Sequence, residues 1–199
     1  MTMKFNKKTV IFLISILLIV IATAFIYQKY QGFLPTPVQQ QPLTRQQIEQ
    51  IKINSPITEI RVYKSQRKAE LMHHDQVIRN YTMRLGFTPE GHKQQEGDGK
   101  TPEGRYEIDW RNPNSAFYKS LHISYPNAQD RAAALQRGVS PGGDIMIHGS
   151  TTGKIPQTRQ TMQYLPQKDW TFGCIAVRNS DIDEIWQLVK NKTPIMIYP

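Results

Sequence analysis

A mostly β, α+β domain with a few short helices, preceded by one N-terminal apolar helix, is the fold class the sequence predicts. Three observations predict it. An uncharged run, Thr9–Tyr27, follows the lysines Lys4, Lys7 and Lys8. From about Ser55 onward, short β-branched segments alternate with clusters of glycine, proline and aspartate. One clear helical period stands near the C-terminus, where Ile182, Ile185, Trp186 and Val189 repeat at i, i+3, i+4 and i+7.

The elements follow in order. Thr9–Tyr27 as a helix spans roughly 28 Å, close to the ~30 Å hydrocarbon core of a bilayer. Only Lys29 follows it closely, so the lysine asymmetry keeps the N-terminus cytoplasmic and sends the rest across. The run reads as an uncleaved anchor or as a cleavable signal peptide, with Ala22-Thr23-Ala24 as the small-residue cleavage site. Its continuation through Phe25 and Ile26 favours the anchor. Residues 28–54, with Pro35, Pro37, Pro42 and eight glutamines, read as a linker. Within it Thr44–Ile53 can form a short helix capped by Thr44. Residues 55–199 form the catalytic-sized domain. Ile57–Lys64 is the first strand. Ala69–His73 and Gln76–Met83 make a hairpin around His74-Asp75. Gly86, Pro89, Gly91, Gly97, Gly99, Pro102 and Gly104 mark a long stretch of turns. Arg105–Asp109, Leu121–Ser124 and Asp144–His148 read as further strands, and Ala132–Gln136 as a helical turn closed by Gly138. The helix Asp181–Lys190 carries a Ser180–Asp183 capping box, and Ile195–Tyr198 is the last strand.

The charge balance excludes some functions. The 199 residues carry a net charge of +9, with 25 basic and 16 acidic side chains. The first 54 residues account for +5 and the rest for +4, so much of the basicity flanks the membrane segment. No basic stripe interleaved with aromatics appears, so nucleic acid is not an expected partner. One cysteine excludes an internal disulfide and any cysteine-built zinc site within the chain. His73-His74 is a poor metal pair, because neighbours on a strand face opposite ways. No metal and no cofactor are expected, and the domain is expected to act as a monomer.

Cys174 lies in Thr171-Phe172-Gly173-Cys174-Ile175-Ala176. It reads either as a small buried hydrophobe or as a thiol kept for chemistry. Export to an oxidising compartment makes an unused thiol a liability. Gly173 beside it permits a sharp turn and close approach of substrate to backbone N–H groups. Such a nucleophile needs a base. His148 ends an apolar strand and precedes Gly149, where a polar side chain is displayed at a sheet rim. Asp144 does not complete a triad, since on a strand it stands roughly 13 Å from His148. A backbone carbonyl or Ser150 is the expected orienting group.

These segments resemble the L,D-transpeptidase catalytic-domain family (YkuD-like), bacterial cell-wall enzymes with a sandwich-like β fold. The resemblance runs over about residues 57–198. It rests on His148-Gly149, on Thr171-Phe172-Gly173-Cys174, on Gly97-Asp98-Gly99-Lys100-Thr101-Pro102-Glu103-Gly104-Arg105-Tyr106, on Ser124-Tyr125-Pro126-Asn127, and on Ala176–Trp186. It implies acyl transfer through a thioester on peptidoglycan tetrapeptide stems, in cell-wall biogenesis and cell shape. Cys174 is then the nucleophile, His148 the proton acceptor and donor, and Gly173 part of the oxyanion turn. Gly149, Ser150, Thr171 and Arg178 are then substrate-binding neighbours. The chain departs from the family pattern in three places. Phe172 stands where a histidine is usual, which leaves His148 as the motif's base. Ala176 replaces a polar residue, with Arg178 two positions on as a candidate substitute if the segment is extended. The spacer from Gly149 to Trp170 is long. A glycine-cysteine pair followed by an alanine two residues later also resembles a branch with hydrolytic members, so a carboxypeptidase or amidase on the same scaffold is the alternative, and a silent peptidoglycan-binding module a third.

Overall fold

The computed structural model describes residues 6–30 and 40–199; Lys4 and the spacer prolines Pro35 and Pro37 lie outside the described residues. Two compact units divide the chain near residue 34. The first holds helix α1, Lys7–Tyr30. Its described apolar side chains are exposed: Phe12, Leu18 and Phe25 are 64%, 61% and 67% exposed.

The second unit is a mixed eight-stranded sheet with four short helices among its described residues. The strands are β1 Glu59–Tyr63, β2 Lys68–His73, β3 Gln76–Thr82, β4 Gly104–Ser115, β5 Tyr118–Ile123, β6 Met146–His148, β7 Ile175–Ala176 and β8 Pro194–Tyr198. They lie in the order β3-β2-β1-β8-β4-β5-β6-β7. β4 joins the two halves: residues Gly104–Glu107 pair with β8, and Ile108–Ser115 pair with β5. One core serves both halves, from Ile60, Val62, Leu71 and Tyr81 on one side to Leu121, Ile123, Ile147 and Ile175 on the other. Alternation puts these apolar residues on a shared inner face.

The helices are α2 Arg45–Asn54, α3 Ala128–Gln136, α4 Arg159–Gln163 and α5 Asn179–Leu188. Thr44 caps α2, as the sequence predicts, and the structure adds a capping box with Gln47. The helix belongs to the packed body, because Ile48 is 3% exposed in the main core. Buried Glu184 ties the chain before it, accepting from Leu43 N–H at 2.7 Å, from the Arg79 guanidinium and from Tyr81.

Several boundaries differ from the sequence reading, each for a local reason. α3 starts four residues earlier than predicted, because Asn127 and Asp130 form a capping box. α5 begins at Asn179, and the expected Ser180–Asp183 box does not form; Arg178 is the N-cap and the Ser180 hydroxyl is buried without a partner. The predicted strand at Asp144–His148 shortens to Met146–His148, because Asp144 adopts φ 54°. The hairpin around His74-Asp75 forms as predicted, with His74 at φ 52° in the turn. α4 has no counterpart in the sequence reading.

Candidate active site

The loop that delivers Cys174 is fixed at both ends. Asp169 receives the Leu85 N–H at 2.9 Å and both Nε and Nη2 of Arg67. Trp170 and Thr171 donate their N–H groups to Leu85 O, and Phe87 N–H donates to Thr171 O at 3.0 Å. Thr171 then closes the turn: its Oγ1 donates to Cys174 O at 2.7 Å and accepts from Gly173 N–H at 3.2 Å. At 4% exposure, Thr171 is buried and holds the loop that carries Cys174. The loop bends at this point and is not extended, so strand parity cannot be carried from residue 172 to residue 178.

Gly173 is required by two constraints together. Its φ is 130°, and a Cβ would sit 2.6 Å from Lys100 O. Gly86 packs against Gly99 in the same way, with a Cβ only 2.0 Å from Gly99 O. The glycine-rich segment at Gly97–Gly104 is therefore the floor under the cysteine. Gly173→Ala is expected to destabilise the domain by about 2–3 kcal/mol, through strain and displaced backbone. A urea titration showing wild-type stability in that variant would contradict this account.

The Cys174 thiol is partly exposed. It donates to Asp144 O at 3.5 Å, and Met146 N–H donates to the sulfur. Burial pushes the thiol above its ordinary pKa, and the Met146 hydrogen bond opposes this.

His148 sits on β6, which pairs in parallel with β7 so that Ile147 faces Ile175 and His148 faces Ala176. Ile147 and Ile175 point into the core. His148 and Ala176 therefore share the opposite face, and Cys174 stands immediately before β7, with its sulfur against Asp144 O and Met146 N–H of the chain that leads into His148. The His148 Nδ1 lies 2.6 Å from Gly149 O. A carbonyl only accepts, so Nδ1 carries the proton and Nε2 offers the lone pair. The backbone carbonyl is thus the orienting group, while Ser150 Oγ donates instead to Tyr164 O. Phe117 and Trp170 pack on the imidazole at 4.8 and 5.7 Å between ring centres. Burial lowers the His148 pKa to about 4, against the raising effect of the Gly149 carbonyl.

That shift predicts acid sensitivity. The unfolded chain takes up the proton near pH 6.5 and the folded protein only near pH 4, so the unfolded state binds more protons between them. The contribution is complete above pH 6.5 and falls away as pH drops toward 4, by on the order of 3 kcal/mol. His148→Gln should lack this part of the acid dependence. Superimposable stability-against-pH curves for wild type and variant would contradict it.

The remaining candidates have structural surroundings. Gly149 makes room for Asn179, since a Cβ would lie 2.4 Å from Asn179 Oδ1. Asn179 is fully buried, and its Oδ1 accepts from Ser150 and Thr151 N–H, so it shapes the loop beyond His148. No local sequence signal marks this role, because these partners are 28 and 29 residues away in the chain. Arg178 corrects the expectation that it substitutes for a polar residue at position 176: it is 2% exposed and donates to Asp181 at 2.7 Å, inside the fold. Ala176 is buried between β6 and Arg84, with which it exchanges two backbone hydrogen bonds of 2.8 Å. Phe172 is 76% exposed and meets Phe87 edge-on at 5.4 Å.

Comparison with known proteins places this arrangement. The family profile described as the YkuD L,D-transpeptidase catalytic domain matches residues 57–197. The chain is 30% identical over 167 residues to YafK of Escherichia coli K12, provisionally named an L,D-transpeptidase. That match covers 80% of this chain and 57% of YafK, so the chain spans little more than half of the curated relative. The crystal structure of the helical cell shape determining protein Pgp2 from Campylobacter jejuni is similar in fold. Its TM-score is 0.54 at 22% identity, over 72% of this chain and 48% of that one.

Proposed function

The chain belongs to the L,D-transpeptidase catalytic-domain family, and from that membership we propose that it is a cysteine acyltransferase acting on peptidoglycan tetrapeptide stems. The observation that carries this reading is the position of Cys174 immediately before β7, the strand that pairs with His148's β6, with the His148 Nδ1 committed to Gly149 O and Nε2 left as the basic nitrogen.

Both groups rest uncharged at neutral pH, since burial raises the thiol and lowers the imidazole. The reading is therefore general-base catalysis in step with attack, not a preformed ion pair. The thiol turns from Asp144 O toward His148 Nε2, which takes its proton. The sulfur attacks the carbonyl of the residue before the terminal D-Ala. The Cys174 N–H stabilises the oxyanion, and one such donor contributes roughly 3–4 kcal/mol. His148 returns the proton to the leaving amine as the C–N bond breaks. The thioester then passes its acyl group to an amine, forming a wall crosslink, or to water. Thr171, Gly173 and Asn179 hold this machinery in place.

Mass spectrometry of muropeptides incubated with the full chain in detergent tests the reading. Crosslinked dimers support transpeptidation. Shortened monomers support the hydrolase on the same scaffold. No product supports the silent binding module and rejects the enzyme.

We further propose that α1 holds the domain at a membrane, with residues 55–199 outside the cytoplasm. The span Lys7–Ile26 has a mean hydropathy of 3.0 over 20 residues, and its described apolar side chains, from Phe12 to Ile26, are exposed. A reporter active only in the cytoplasm, fused after Pro199, is expected to be inactive. Reporter activity would reverse this topology.

A further inference from the structure

A second histidine, paired with a carboxylate, stands on the same sheet face as His148. In β5, Ser120 faces His148 and His122 faces Met146. In the next ladder, His148 pairs with Ala176. Ser120, His148 and Ala176 thus form one row, and His122 and Met146 form the next. Strand spacings put the Cα atoms of His148 and His122 about 8 Å apart. Cys174 enters beside half-buried Met146, with its sulfur against Asp144 O and Met146 N–H.

The local fold equips His122 for chemistry. β4 bulges between Ile108 and Arg111, where its partners in β5 are Ile123 and Leu121. Two residues, Asp109 and Trp110, are thus set against His122 alone. A bulge of this kind re-aims side chains. This one brings Asp109 Oδ1 to 2.6 Å from His122 Nδ1 and lays the Trp110 ring on the imidazole, with centres 4.8 Å apart and planes at 17°. A carboxylate only accepts, so Nδ1 carries the proton and Nε2 is the basic nitrogen. His148 differs on both points: its Nδ1 partner is a neutral carbonyl, and Phe117 and Trp170 close its side of the site.

Resting on the acyl-transfer reading above, we propose that His122, oriented by Asp109 and seated on Trp110, is the acceptor-side base. Its Nε2 takes the proton of the amine or water that attacks the Cys174 thioester. The new N–C or O–C bond forms as the N–H or O–H proton passes to Nε2, and the C–S bond then breaks to release the Cys174 thiolate. The imidazolium gives its proton to solvent, and the thiolate recovers one from solvent. His148 serves the first half of the reaction and His122 the second.

Single-turnover intact-mass measurements on the full chain in detergent test this, with a disaccharide-tetrapeptide as acyl donor. One arm supplies glycinamide as the acceptor amine and the other supplies water alone. For His122→Gln, thioester formation is expected within about 3-fold of wild type. Its breakdown is expected to slow by roughly 10²-fold or more, so that the acyl-enzyme accumulates. The arm in which breakdown slows identifies the acceptor that His122 serves. Asp109→Asn should also accumulate acyl-enzyme, to a smaller extent, and it serves if the first variant does not fold. The pH dependence of breakdown should flatten in His122→Gln while that of acylation is kept. Unchanged breakdown in both variants would overturn the proposal. So would an equal loss of acylation and breakdown, which marks a packing role. A wild-type protein that acquires no acyl mass from the donor would instead overturn the reading of Cys174, and this proposal with it.

Discussion

Cys174→Ala is expected to abolish product, with a fall of at least roughly 10³-fold in turnover, because no other thiol exists in the chain to form the thioester. The fold should survive the change. The thiol is half-exposed, and its hydrogen bonds, to Asp144 O and from Met146 N–H, each involve one backbone group. The loop shape rests on Thr171, Gly173 and Asp169 and not on the sulfur. The stability change should stay within about 1–2 kcal/mol. Retained turnover in the alanine variant would end the nucleophile assignment. Covalent labelling by a carbapenem gives a second readout, with a mass increase expected in wild type and none in the variant.

His148→Gln should lower kcat by roughly 10²–10⁴-fold while changing KM far less, because proton transfer is realised only in the transition state. The wild-type pH profile should have limbs that belong to the Cys174–His148 pair jointly. Phe172→His should be tolerated, since the ring is 76% exposed and touches Phe87 at its edge. It should not rescue His148→Gln. The chain bends at Gly173 between residues 172 and 174 and turns residue 172 toward solvent. Rescue would show that position 172 can supply the base, and His148 would lose its place as the proton acceptor for Cys174.

How much of the site is legible in the sequence depends on the range of each interaction. Cys174 with Gly173, and His148 with Gly149, are legible because neighbouring residues carry both the chemistry and the conformational requirement. The glycines at Gly97, Gly99 and Gly104 are legible as turns, but their service as a floor under Gly173 is not, since the contact joins Lys100 to a residue far along the chain. Arg178 is misplaced by any sequence reading that extends a strand through the segment. β7 ends at Ala176, and α5 starts at Asn179 with Asp181 within reach of the guanidinium. His122 carries no local mark, because its partner Asp109 reaches it only across a β4 bulge.

The sequence by itself determined the fold class, the membrane-length apolar segment, the α2 cap at Thr44 and the hairpin at His74-Asp75, and it nominated one thiol and one histidine as a pair. These follow from hydrophobic period, capping chemistry and turn residues, all of which act within a few positions of the chain. Tertiary structure alone decided which histidine nitrogen is basic, that burial pushes the thiol up and the imidazole down, that Asn179 shapes the loop beyond His148, and that a second histidine stands on the same face as His148. Each of these depends on burial or on hydrogen bonds between segments distant in sequence, and desolvation and strand register exist only once the sheet has assembled.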